Sequence, residues 1–150
     1  MRLWHVELIP YLADIHLIAQ WRELCAIIKD IAETGTTHHV LINPIMEYDW
    51  LDFLLYSKKV VDELEKRGKN ITKSYTIFME NLEKAKTYFP TKATENSIPY
   101  PYWHNDRYLK QCFYNLEEKA DRGMITEKEW ENIKTSTPIV MADWADYIPF

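Results

Sequence analysis

Only three glycines interrupt the 150 residues of this chain, at 35, 68 and 123, and each stands just past a run of apolar residues spaced three and four apart. Glycine enters the left-handed backbone that ends an α-helix at little steric cost, so all three read as helix stops. Few other positions allow positive φ. No pair of segments alternates apolar and polar residues as paired strands do. The expected fold is all-α, a compact single-domain bundle of three main helices plus shorter ones across residues 1–150.

The periodicity places the elements. A first helix starts after Pro10, covers 12–33 and ends before Gly35, with Leu17, Ile18, Trp21, Leu24, Cys25, Ile28 and Ile31 as its apolar stripe. Asn43-Pro44 signals a second helix, expected over 46–67, which closes on Lys66-Arg67-Gly68. Its inward residues are Trp50, Phe53, Leu54, Val61 and Leu64. Tyr75, Phe78, Met79, Leu82 and Phe89 mark a third helix over 74–88 that Pro90 helps to end. A loop follows to Trp103, then a helix over 105–122 with Tyr108, Leu109, Cys112, Phe113 and Leu116 inward. Thr126 and Glu129 form a capping box for a short last helix with Trp130 and Ile133. Residues 135–150 look irregular, with Trp144, Tyr147 and Phe150 but no Lys or Arg.

Composition narrows the function classes. A chain that is 47% hydrophobic with six Trp and ten Tyr is globular. Cys25 and Cys112 lie far apart without metal-ligand spacing, as expected of two buried thiols in a reducing cytoplasm. No run is long enough to span a membrane and the start lacks a signal-peptide pattern, so a soluble cytoplasmic protein is expected. The net charge of −5 counts against nucleic acid as a partner, yet residues 57–92 hold nine Lys or Arg against five acids.

The first 26 residues carry more chemistry than a fold needs. At about 100° per residue, a seven-residue step is nearly two full turns, so His16 and Glu23 fall in line with Gln20 between them. Ala19 and Ala26 flank that stripe and leave a shallow groove. Arg22 sits to one side, within reach of a phosphate lying along it. An α-amine beside a carboxylate can make and break a Schiff base with a sugar carbon without metal or cofactor. A solvated amphipathic face with an incidental histidine has the same spacing.

The residues themselves resemble a family. LADIHLIAQWREL (12–24) is similar to the start of the pyrimidine-dimer DNA glycosylases of the phage endonuclease V type. NPIMEYDWLDFLLYSKKVVDELEKRGKNI (43–71) resembles that family's second helix, ending in Lys-Arg-Gly-x-Asn-Ile. A third, weaker match runs from Pro101 to Ala120, a His ahead of a helix ending in an acidic–Lys pattern.

The resemblance implies a compact all-α repair enzyme, without cofactor or metal, that cuts the glycosidic bond of a damaged pyrimidine in double-stranded DNA and then nicks the strand as a lyase. It makes the amino-terminal amine, here that of Met1, the nucleophile at C1′. It makes Glu23 the carboxylate that stabilises positive charge at the sugar and assists proton removal from C2′. Arg2, His16, Gln20 and Arg22 become the expected DNA contacts, and the protein a monomer. The chain departs from the family where Arg2 follows Met1, where Ala26 replaces a basic residue, and where residues 135–150 carry Asp143 and Asp146 in place of basic groups. Those losses suit two other readings: an idle relative kept as a binding module, and a lyase acting on another modified base or on RNA.

Overall fold

A computed structural model describes residues 1–91 and 98–137, among which there are five α-helices and no strand. Residues 1–5 are irregular and lead into a 3-10 helix, Val6–Tyr11. Then come α1 (Asp14–Thr34), a 3-10 turn (Asn43–Glu47), α2 (Trp50–Lys66), α3 (Thr72–Ala85), a 3-10 turn (Lys86–Tyr88), α4 (Asp106–Asp121) and α5 (Glu127–Ser136). None of these helices is long and apolar enough to cross a membrane. The part of the expected tail with Trp144, Tyr147 and Phe150 lies outside the described residues, as do residues 92–97 of the loop before Trp103.

The stop signals act as their chemistry requires. Gly35, Gly68 and Gly123 all have positive φ, and Gly35 hands its N–H to the Ile31 carbonyl at 2.8 Å. A side chain at Gly35 would also crowd the Tyr88 ring. The start of α2 differs from the expected 46. Asn43-Pro44 opens a separate 3-10 turn, Tyr48 is extended, and Asp49 caps the helix by accepting the Leu51 N–H at 2.9 Å. A carboxylate cap satisfies an orphan N–H that Pro44 cannot, which moves the helix start. Both halves of the Thr126–Glu129 capping box are formed.

One contiguous core joins these elements. The length and stop signals of helices 12–33, 46–67 and 105–122 predict these three as the packed trio; instead α1 packs chiefly against α3 and then α2. The reason is aromatic. Trp21 of α1 meets Phe78 at 5.1 Å and Tyr75 at 6.4 Å, and its indole N–H donates to the Ser74 hydroxyl at 2.9 Å. Phe78 stacks in turn on Phe53 of α2. Helix α5 rests on α4 and on the 3-10 helix 6–11.

Arg67, the last basic residue before Gly68, ties the end of α2 to the entry of α1. Its guanidinium donates to the carbonyls of Leu12 at 2.7 Å and Pro10 at 3.1 Å, and to the carboxylates of Asp14 and Glu63, both at 2.9 Å. The Arg67 bond also holds the Asp14 carboxyl below its usual range. Arg67→Ala is expected to destabilise the protein by about 1–3 kcal/mol, since it strands two carbonyls and two carboxylates together. Lys69→Ala, which loses one exposed contact to Asp14 at 3.5 Å, should cost no more than about 1 kcal/mol. Urea unfolding measures both, and equal effects would remove Arg67 from this role.

Candidate active site

Residues 2–6 have no sheet partner, and their backbone finds its partners among side chains from four parts of the chain. The Arg2 carbonyl accepts from Gln20 Nε2 at 3.1 Å, and the Leu3 carbonyl accepts from the Tyr108 hydroxyl. The Trp4 N–H donates to Gln20 Oε1 at 2.7 Å. The Tyr56 proton is shared between the Trp4 carbonyl at 2.6 Å and Gln20 Oε1 at 3.0 Å. The Val6 N–H donates to His104 Nδ1 at 2.9 Å. A buried backbone group without a partner costs about 1–3 kcal/mol, so this set of bonds seats the segment in one register on α1.

The seat lies on the face of α1 where the sequence suggested an open groove. Residues 2–4 of the chain itself fill it. Two expected DNA contacts therefore lie beneath the surface: Gln20 is 0% exposed and His16 is 7% exposed, with the Trp4 ring edge-on at 6.1 Å. Burial lowers the His16 pKa, its largest cause, and nearby Lys119 adds to that. Met1 and Arg22 are exposed, and Arg2 is partly exposed with its guanidinium 5.8 Å from the Trp4 ring centre.

Glu23 stands half-buried at the open end of this arrangement. Gln20 Nε2 donates to its carboxylate at 3.3 Å. Burial raises the Glu23 pKa, while the amino-terminal charge and Lys119 pull it back. The structure thus brings the Met1 amine, Lys119 of α4 and the Glu23 carboxylate into one electrostatic neighbourhood. Such a carboxylate binds a proton more readily than a free one, a setting suited to accepting a proton from carbon.

An open cleft of about 530 Å³ adjoins Arg2. Trp103, Tyr102 and Tyr108 supply aromatic surface, Arg107 a second guanidinium, and Gln111 an amide. Tyr102 is 84% exposed at its rim. His5, His104, Tyr100 and Tyr56 form a buried ring cluster that the half-buried Tyr108 joins from the cleft wall, and Tyr100 is held at a φ of 54° by its N–H to Asp52 Oδ1 at 2.9 Å. Cys25 and Cys112 are both free, and burial pushes the Cys25 thiol up to about 11.

Sequence reasoning named Met1, Glu23, Arg2 and Arg22 but not Tyr56 or His104, and read Tyr108 only as core. The bonds of these three to the amino-terminal segment span up to 105 residues, and no local period marks such pairs. The residue types alone gave a signal, because a buried Tyr or His needs a polar partner.

A family model described as pyrimidine dimer DNA glycosylase matches residues 1–77, which hold the amino-terminal segment, α1, α2 and the start of α3. No curated protein and no solved structure matches the chain.

The histidines under the amino terminus predict an acid sensitivity. His104 is driven down to about 3, first by burial and then by His5, while His5 and His16 are also lowered by burial. Their unfolded values lie near ~6.5, so the unfolded chain binds more protons below that pH and stability falls as pH falls. Each fully neutral histidine contributes a slope of about 1.4 kcal/mol per pH unit in that range. Denaturant unfolding at pH 7.5, 6.5 and 5.5 should show a flat top and then a decline. Glu23 and Asp52, raised by burial, act oppositely only at lower pH. A stability that stays level from pH 6.5 to 5.5 would contradict the neutral buried histidines.

Proposed function

The chain belongs to the pyrimidine dimer DNA glycosylase family, and from that we propose that it excises damaged pyrimidines through a Schiff base on its amino-terminal amine and then nicks the strand as an AP lyase. One observation carries the reading: Gln20 Nε2 bonds the Arg2 carbonyl at 3.1 Å and the half-buried Glu23 carboxylate at 3.3 Å, which brings the amino-terminal backbone beside that carboxylate. In the proposed reaction the neutral Met1 amine attacks C1′ and the bond from C1′ to the base breaks. The departing base takes one proton of the attacking amine, and the ring oxygen takes the other as its bond to C1′ breaks, which leaves an imine between the amine and C1′. Glu23 then takes a proton from C2′, and the electron pair expels the phosphate at C3′, which cuts the strand.

DNA is the partner that the family implies. Arg22, Arg2 and Lys119 are the proposed phosphate contacts of a chain whose net charge is −5. His16 supports the Trp4 ring from below rather than meeting the duplex. A glycosylase reaches its bond only after unstacking the nucleotide, and the aromatic cleft beside Arg2 gives a splayed base a stacking surface.

Borohydride reduction on an abasic-site duplex tests the mechanism. Native protein should form a stable covalent adduct, and acetylation of the terminal amine should abolish it with the fold intact. Glu23→Gln should retain DNA binding but slow strand cleavage by about 10²-fold or more, because the amide accepts no proton. Arg22→Ala should weaken binding and lower its salt slope by about one. An acetylated protein that still traps DNA would transfer the nucleophile to a lysine. Absence of any adduct at low salt would leave a DNA-binding or interaction module in its place.

A further inference from the structure

We propose that Gln20 is a positioning residue of this site: its side-chain nitrogen, bonded at once to the Arg2 carbonyl and the Glu23 carboxylate, sets the distance and orientation between the terminal amine and that carboxylate. The inference rests on the amine–carboxylate reading above. Gln20 was expected among the DNA contacts, but it is fully buried and its amide is saturated. Its two N–H groups go to Arg2 at 3.1 Å and to Glu23 at 3.3 Å, while Oε1 takes the Trp4 N–H at 2.7 Å and shares the Tyr56 proton at 3.0 Å.

The neighbours decide which way the amide points. Turning it over would set its nitrogen against the Trp4 N–H and its oxygen against a carbonyl and a carboxylate, three repulsive pairs in place of three bonds. A glutamate here would meet the same conflict, so the position calls for an uncharged amide. Leu3, Trp4 and Val6 have other holders, in Tyr108, Tyr56 and His104. Gln20 differs from all of them because it also touches Glu23.

A donor on the Glu23 carboxylate favours its charged form, against the burial that disfavours it. The other groups acting on Glu23 are the Met1 amine and Lys119 of α4, with Arg22 its neighbour along α1. Gln20→Met keeps the length of the side chain and removes its hydrogen bonds without altering any of those charged groups.

The test sets Gln20→Met beside Tyr56→Phe. Both lose a bond to the amino-terminal segment, but only the first loses the bond to Glu23. In the free protein, carboxyl NMR should show the Glu23 titration midpoint moved up by roughly half a unit or more in Gln20→Met and unmoved in Tyr56→Phe. On an abasic duplex, single-turnover adduct formation by Gln20→Met should slow by about tenfold to a hundredfold, with the acid limb of its pH profile shifted up. DNA affinity should change less than about twofold, because the residue meets no solvent. An unmoved Glu23 midpoint, or identical pH profiles for the two variants, overturns the proposal. If the native chain forms no adduct, the amine–carboxylate reading fails by itself, and the NMR midpoint still decides whether Gln20 governs Glu23.

Discussion

Residues 2–5, up to the N–H that opens the 3-10 helix at Val6, must be held without secondary structure, and the molecule is organised around that demand. An irregular segment against a core has backbone groups that neither water nor a helix of its own can satisfy. Here Gln20, Tyr56, His104 and Tyr108 take them up, one each from α1, α2, the loop before α4, and α4. The segment is therefore less a tail than a keystone between α4 and the packed helices α1 and α2. It joins α4 to the rest of the bundle, and its 3-10 continuation touches both α2 and α5.

The same demand governs the titration of the interior. His104 accepts the Val6 N–H through Nδ1, which requires the neutral ring, and His5 gives its Nε2 proton to the His104 carbonyl while accepting the Glu7 N–H through Nδ1. Two adjacent histidines can serve as backbone partners only while uncharged. Glu23 shows the reverse balance, since the Gln20 donor and two nearby cations work against the burial that would neutralise it. Charge is thus excluded under the segment and retained at its open end.

The family match stops at residue 77, yet the seat does not. His104 and Tyr108 lie beyond the match and hold Leu3 and Val6, while Lys119 adds its charge at Glu23. The matched part supplies the amine, Glu23 and Gln20. The remainder closes over the amino-terminal segment and builds the aromatic cleft beside Arg2.

Much of this architecture was legible in the chain itself, because helix stops and apolar stripes are local. Gly35, Gly68, Gly123 and the Thr126–Glu129 pair end or start helices where their own chemistry dictates, and Leu17, Trp21, Leu24, Ile28 and Ile31 lie in the core as their spacing requires. The start of α2 was less legible, since Asn43-Pro44 and Asp49 compete as starts and only the fold chooses Asp49. The alignment of His16, Gln20 and Glu23 on α1 also followed from helix geometry, but the meaning of that line did not. Whether a polar stripe faces solvent, substrate or another part of the same chain depends on contacts between residues far apart in sequence. Tertiary structure put residues 2–4 on the stripe, which buried His16 and Gln20 and left Glu23 at the edge. Periodicity determines which side chains share a face, while long-range hydrogen bonds, with no period to betray them, determine what that face meets.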